Sequence, residues 1–67
     1  MYIVIELQTT NGQTAHIVSS HPTREEAESK FHLILSAAAV SPIPIHAAAI
    51  LDEFGCILAN GSYVHEV

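Results

Sequence analysis

The stretch from Ile45 to Leu58 is apolar on both of the faces it would present as a strand, and the chain contains only one strong helix pattern. Side chains alternate between the two faces of a strand. One face of the first part carries four aliphatic residues: Ile45, Ala47, Ala49 and Leu51. The other carries Ala48 and Ile50, with His46 as its only polar member. Because one helix covers one face of a sheet, the other face needs a second cover.

The size and composition of the chain indicate a single small domain, residues 1–67, that gains from association. A core this small gives marginal stability, which disulfides, metals or oligomerisation usually supplement. Cys56 is the only cysteine, so no disulfide forms within one chain. Charged residues make up 13% of the sequence, against about 25% in typical globular domains. This shortage of charge indicates that part of the surface is hidden in an assembly.

The charge balance argues against nucleic acid and anionic membranes as partners. The formal net charge is −5, and Arg24 and Lys30 are the only lysine or arginine residues. Two cations cannot build the basic patch that neutralises phosphates or lipid headgroups. The apolar run after Met1 ends at Glu6, with no basic region before it and no segment near the roughly 20 residues of a membrane span. We therefore expect a cytoplasmic protein.

The first third of the sequence reads as a β-hairpin. From Tyr2 to Gln8, successive residues follow the two-face alternation that is typical of a strand. Asn11-Gly12 is a strong signal for a tight turn, and Thr14–Ser19 is predicted to form the return strand. A two-residue turn places His16 and Val18 beside Leu7 and Ile5. A three-residue turn with a bulge places Ala15 and Ile17 there instead. We favour the second register because it leaves His16 in water.

A helix follows, and its ends are marked in the sequence. Thr23 and Glu26 form a capping box, in which the Thr23 hydroxyl accepts from the Glu26 amide. The apolar stripe at helical spacing comprises Ala27, Phe31, Ile34, Leu35 and Ala38. Pro42 disfavours helical geometry at Ser41, so the helix should end near Ala39 or Val40.

The last third reads as a second hairpin. Residues 45–51 form the third strand, Asp52–Gly55 a type I turn, and Cys56–Ala59 the fourth strand. Asn60-Gly61 is either a further tight turn or a bulge. The fold class is therefore α+β, with ββαββ order and a four-stranded antiparallel sheet that carries one helix on one face.

The alternation pattern assigns residues to the two faces of this sheet. The predicted core beneath the helix comprises Ile3, Ile5, Leu7, Ile17, Ala27, Phe31, Ile34, Leu35, Ala47, Ala49, Leu51 and Leu58. The predicted helix-free face comprises Tyr2, Val4, Ala48, Ile50, Ile57 and Ala59. From this face we select Tyr2, Val4, Ala48, Ile50 and Ile57 as the candidate oligomer interface.

Three segments give the chain a resemblance to a known group: residues 2–9 (YIVIELQT), residues 26–32 (EAESKFH) and residues 63–66 (YVHE). Together they resemble a group of small hypothetical proteins from Gram-positive gut bacteria and their prophages. The resemblance implies a bacterial or phage cytoplasmic protein. It implies no catalytic, cofactor-binding or metal-binding residue.

Five histidines raise the alternative of a metal-binding or metal-sensing protein: His16, His21, His32, His46 and His65. None has the close spacing of zinc ligands, although strand pairing could bring His46 near His65 with Cys56 or a carboxylate. Scattered surface histidines are the simpler interpretation. Cys56, at the head of an apolar strand, is interpreted as a buried inert thiol rather than a nucleophile.

No enzyme signature or glycine-rich phosphate loop is present, and the three glycines are explained by turns or a bulge. The sequence therefore predicts a non-enzymatic module without a cofactor that forms a homo-oligomer, with a dimer favoured. The subunits would join through the helix-free sheet face or by pairing of edge strands. The assembly could in turn bind another protein as a phage or mobile-element accessory. Strand order, oligomer size, any ligand and the biological process are left open.

Overall fold

A computed structural model describes residues 1–65 and confirms the predicted ββαββ order. The elements are β1 (Tyr2–Thr10), β2 (Gln13–His21), α1 (Arg24–Ala39), β3 (Ile45–Asp52) and β4 (Ile57–Val64). The four strands form one antiparallel sheet in the order β2-β1-β3-β4. The second hairpin therefore joins the first along β1, and β2 and β4 form the two edges.

The first hairpin uses a two-residue turn, so the favoured three-residue turn was wrong. Asn11 and Gly12 both have positive φ, 53° and 77°, as a type I′ turn requires. Such a turn matches the twist of the strands without a bulge. It pairs Leu7 with His16 and Ile5 with Val18, which is the alternative register considered above.

Helix α1 begins and ends where the sequence predicts. The Thr23 hydroxyl accepts a hydrogen bond from the Glu26 amide at 3.2 Å, and Glu25 and Glu26 lie in the first turn. Negative side chains there interact favourably with the positive end of the helix dipole. The Val40 amide donates to the last-turn carbonyls, and Pro42 follows two residues later.

The second hairpin contains the predicted turn and an unpredicted bulge. The Asp52 carboxylate accepts from the amides of Phe54 and Cys56, both at 2.9 Å, and Gly55 has φ 86°. In the β3–β4 ladder, Ile50 pairs with Ala59 and Leu51 pairs with Ile57, so Leu58 has no partner and forms a β-bulge. The Asn60-Gly61 pair lies inside β4, so it is neither a turn nor the bulge.

The helix covers the face of the sheet that we predicted to be free, which overturns the face assignment. Val4, Ala48 and Ile50 are 1–2% exposed and form one cluster with Ala27, Phe31 and Ile34 of α1. Tyr2 and Ala59 pack against the same cluster. A small pair, Ala48 opposite Gly61, makes room for the helix. A Cβ on Gly61 would lie 2.9 Å from the nearer methyl carbon of Leu35.

Candidate functional site: the helix-free face

The helix-free face of the sheet is apolar at its centre. The strand register places ten aliphatic residues on it: Ile3, Ile5, Leu7, Val18, Ile45, Ala47, Ala49, Leu51, Ile57 and Val64. Polar residues without formal charge lie around them: Thr9, Thr14, His16, Ser20, Asn60 and Ser62. Among residues 1–65, no strand position on this face is occupied by Asp, Glu, Lys or Arg. We call this surface the open face.

Large aliphatic side chains on the open face are in contact with solvent. Ile57 is 63% exposed, Val18 53% and Leu7 37%. Charged residues, usually common on exposed sheet faces, would make such a surface soluble on its own. A contiguous apolar patch of this kind is typical of interaction surfaces.

A shallow groove runs along the open face beside a ridge. The groove has a volume of about 410 Å³, and its lining includes Leu7 of β1, Ala47 and Ala49 of β3, and Ile57 of β4. The ridge consists of Ile3, Ile5 and Leu7 of β1, which stand opposite Leu51, Ala49 and Ala47. The short alanine side chains therefore create a depression next to longer aliphatic ones.

Of the five predicted interface residues, the structure places only Ile57 on the open face. Tyr2, Val4, Ala48 and Ile50 lie on the covered face, and the last three are buried there. The aliphatic open-face residues that this assignment missed are Ile3, Ile5, Leu7, Val18, Ile45, Ala47, Ala49, Leu51 and Val64. No sequence signal distinguishes the two faces clearly, because both alternating sets are apolar along β1 and β3.

The covered face also holds a buried polar pair. His46 is 4% exposed, and its Nε2 lies 2.6 Å from Oε2 of Glu6. The same carboxylate oxygen accepts from Nε2 of Gln8 at 2.9 Å. The imidazole Nε2–H donates to the carboxylate, while the buried Nδ1 has no hydrogen-bond partner among the described residues. A proton on Nε2 leaves only an acceptor unsatisfied at Nδ1.

The contacts of Glu6 favour its ionised form. Burial disfavours the carboxylate and by itself raises the pKa. The hydrogen bonds from Gln8 and His46, with the electrostatic interactions of His46 and Lys30, outweigh that effect and hold the pKa of Glu6 below its usual value of 4.5. Glu6 is therefore a charged group on the covered face, held there by partners from β1 and β3.

The other histidines lie apart from this pair. His21 is hydrogen-bonded to the Ser19 hydroxyl, and His65 to the Ala38 carbonyl oxygen. His32 packs edge-on against Phe31, and His16 is exposed on the open face. Within residues 1–65, no three His, Cys, Asp or Glu side chains are grouped as a metal ion would require. The arrangement of His46, His65 and Cys56 considered above does not form.

Cys56 is exposed, so the interpretation as a buried thiol was wrong. It lies between the Asp52–Gly55 turn and the start of β4, where its amide bonds to the Asp52 carboxylate. His46 lies near the opposite end of β3. The two side chains cannot act together as a nucleophile and base, because such a pair requires hydrogen-bond contact.

The search for membrane-spanning helices and the comparisons with other proteins do not indicate a function. In the described chain, no helix has both the length and the apolar character needed to cross a membrane. Comparison of the chain with family models, curated proteins and solved structures gave no match. The geometry of the open face is therefore the basis for assigning a role.

Proposed function

We propose that the chain is a small non-enzymatic interaction module that forms a homodimer through its open face. The observation that carries the proposal is the uncharged apolar centre of that face, with Leu7, Val18 and Ile57 in solvent. Burial of apolar area contributes about 25 cal/mol per Å². Covering this surface therefore supplies stability that a domain of 67 residues otherwise lacks.

The shape of the open face fits a second copy of itself. The Ile3–Ile5–Leu7 ridge and the alanine groove lie side by side. A two-fold rotation that stacks two copies face to face can place the ridge of each over the groove of the other. Side chains from two sheets interdigitate in this way in β-sandwiches, with strand directions about 30° apart. Isologous contacts of this type close after two subunits.

The size of the open face is adequate for a dimer. Four strands about 4.8 Å apart, each of eight or nine residues that rise about 3.3 Å, cover roughly 500 Å² in projection. The accessible area is larger because side chains project from the sheet. A standard interface hides about 800 Å² per partner. The proposal therefore requires most of the face to be covered.

The positions of the carboxylates do not oppose a like partner at this surface. The chain has a formal net charge of −5, so two copies repel each other when their carboxylates approach. In the described chain these carboxylates lie on the covered face, on α1 or at the Asp52–Gly55 turn. Face-to-face stacking keeps them away from the contact.

A pair of substitutions with matched exposure tests the dimer. Ile57 on the open face is 63% exposed and Leu33 on the helix is 65% exposed. Ile57→Asp buries a charge in the proposed interface and should weaken association at least tenfold. Leu33→Asp adds the same charge on the other side of the molecule and should leave association unchanged. Light scattering after size separation, at tens of micromolar, measures the mass of each species.

A wild-type protein that stays a single chain at this concentration would overturn the proposal. Equal association of wild type and Ile57→Asp would overturn the open face as the contact.

We further propose, on the sequence resemblance alone, that this module acts in the cytoplasm of bacteria or as an accessory of their prophages. The proposed assembly has no cofactor and does not bind nucleic acid or membrane.

A further inference from the structure

We infer that the outer edge of β2 pairs with β2 of a second copy in antiparallel orientation, so that two four-stranded sheets become one eight-stranded sheet. This contact goes beyond the proposed dimer because it uses a different surface. It follows from the backbone of β2, whereas the dimer follows from the side chains of the open face. Each contact can therefore fail without the other.

Alternate residues of β2 direct their backbone groups away from β1. A two-residue hairpin makes Thr10 and Gln13 a hydrogen-bonded pair, and such pairs then recur at every second position. Ala15, Ile17 and Ser19 therefore bond to β1. The amides and carbonyls of four residues point outward: Thr14, His16, Val18 and Ser20. In the described chain, β1 is the only strand that pairs with β2.

The β2 edge lacks the features that usually prevent pairing. Solitary edges are protected by charged side chains, prolines, bulges or short length. β2 has nine residues with no Asp, Glu, Lys, Arg or Pro, and its register with β1 is regular throughout. The β4 edge differs, because the bulge at Leu58 interrupts its pairing. An exposed edge of this length is a template for another strand.

The sequence of β2 fits a second copy of itself around Ile17. If Ile17 faces its own counterpart, His16 faces Val18, Ala15 faces Ser19, and Thr14 faces Ser20. The outward backbone groups then oppose each other, as an antiparallel ladder requires. Ile17 and Val18, each 53% exposed, acquire cross-strand neighbours. Opposed β-branched side chains stabilise such pairs, and no like charges meet.

The two contacts together define a closed assembly of four chains. Antiparallel edge pairing relates two subunits by an axis perpendicular to the sheet, so both helices lie on the same side. The other side is then an open face of eight strands. Stacking two such sheets through their open faces closes the assembly with two-fold axes alone. We therefore expect a dimer of dimers in which β2 supplies one interface.

Ile17→Lys tests the edge without altering the open face, since Ile17 points to the helix side of the sheet. It places two ammonium groups side by side at the proposed axis and should weaken edge pairing at least tenfold. Leu33→Lys adds the same charge at another exposed aliphatic position and serves as the control. We expect four chains for wild type and Leu33→Lys, two for Ile17→Lys or Ile57→Asp, and one for the double variant.

Amide hydrogen exchange gives a second readout on the wild-type protein. The amides of Thr14, His16, Val18 and Ser20 should be as protected as those of β1, and their protection should fall on dilution. Rapid exchange at all four in the associated protein would overturn the edge contact. An associated Ile17→Lys with the wild-type mass would do the same.

The remaining outcomes separate the two proposals. If Ile17→Lys is a single chain while Ile57→Asp is still a dimer, the edge contact stands and the open-face dimer fails. If Ile57→Asp is a single chain while Ile17→Lys and the wild type are both dimers, the open-face dimer stands and the edge contact fails. A wild-type single chain overturns both.

Discussion

The two faces of this sheet are both rich in aliphatic residues, yet they differ in where charged and hydrogen-bonded polar side chains lie. The covered face contains a charged residue, Glu6, together with Gln8 and the buried His46. The open face has only uncharged residues and histidine on its strands within residues 1–65. Polar residues here mark the inside of the molecule, because cross-strand partners satisfy their hydrogen bonds. The open face, which has no charged side chain among its described strand positions, is the one left to solvent in the single chain.

The strongest test of this contrast compares an aspartate on each face. Ile50 is 1% exposed beneath the helix, whereas Ile57 is 63% exposed. Truncation of a buried Ile costs about 2–5 kcal/mol, and an unpaired buried charge adds to that cost. The core of a domain of this size rarely supplies more than about 3–5 kcal/mol of stability. Ile50→Asp should therefore be unfolded at 25 °C, while Ile57→Asp should retain a cooperative thermal transition by circular dichroism.

This outcome would separate stability from association. Ile50→Asp is unsuitable as a test of the interface, because loss of assembly would follow from loss of the fold. A folded Ile50→Asp with an unchanged urea midpoint would contradict the assignment of the covered face.

The next largest effect is expected at the Glu6–His46 pair. Removing one member leaves the other buried without its partner, which costs about 1–3 kcal/mol. A double-mutant cycle with Glu6→Ala and His46→Ala should give a coupling energy of about 1 kcal/mol or more in urea unfolding. The control is the pair Arg24 and Glu28, 2.9 Å apart but 50% and 45% exposed. Such surface pairs contribute about 0.3–0.5 kcal/mol. Equal couplings would show that burial does not strengthen the inner pair.

Acid should weaken the covered face through Glu6. Its folded-state pKa lies below the ordinary value of 4.5, so the folded chain holds its proton less tightly than the unfolded chain. The resulting stabilisation is fully present above the unfolded pKa and is lost as pH falls through the folded pKa. Urea midpoints of wild type and Glu6→Gln should therefore differ near neutral pH and converge as the pH falls through the folded-state pKa of Glu6. A difference that stays constant with pH would contradict this role of the carboxylate.

The smallest effect compares neighbouring residues of β4 that point to opposite faces. Gly61→Ala places a methyl group 2.9 Å from Cδ1 of Leu35, so the flexible end of the Leu35 side chain must shift. The substitution also reduces the freedom of the unfolded chain, which offsets part of the cost. We expect a loss of about 1 kcal/mol, against under about 0.5 kcal/mol for Asn60→Ala on the exposed side. Thermal melting of both variants checks the order.

The sequence predicts the elements well because their signals are local. Thr23 and Pro42 mark the ends of the helix, and Asp52 with Gly55 marks the second turn, each within a few residues. The choice of face is not local. Glu6 and His46 are 40 residues apart, and before their pairing is known each is interpreted as a residue in contact with solvent. The apolar pattern is similar on both faces, and it did not show that Val4, Ala48 and Ile50 lie beneath the helix.

The first hairpin shows the same limit on a smaller scale. We chose its register to leave His16 in water, and the structure satisfies that condition differently, with His16 exposed on the open face. The positive φ values of Asn11 and Gly12 decide the turn. The Asn-Gly pair was therefore better evidence for the register than the position of one histidine.

The position of β1 between β2 and β3 affects how the chain reaches this structure. Each hairpin closes a short loop, and such events take microseconds. The β1–β3 ladder instead joins residues 36 to 50 positions apart, from Thr9 with Ile45 to Tyr2 with Asp52. Distant pairings slow folding because loop-closure entropy is lost before contacts form. We therefore expect formation of the central β1–β3 ladder to be the slow step in folding, after the hairpins and the helix begin to form.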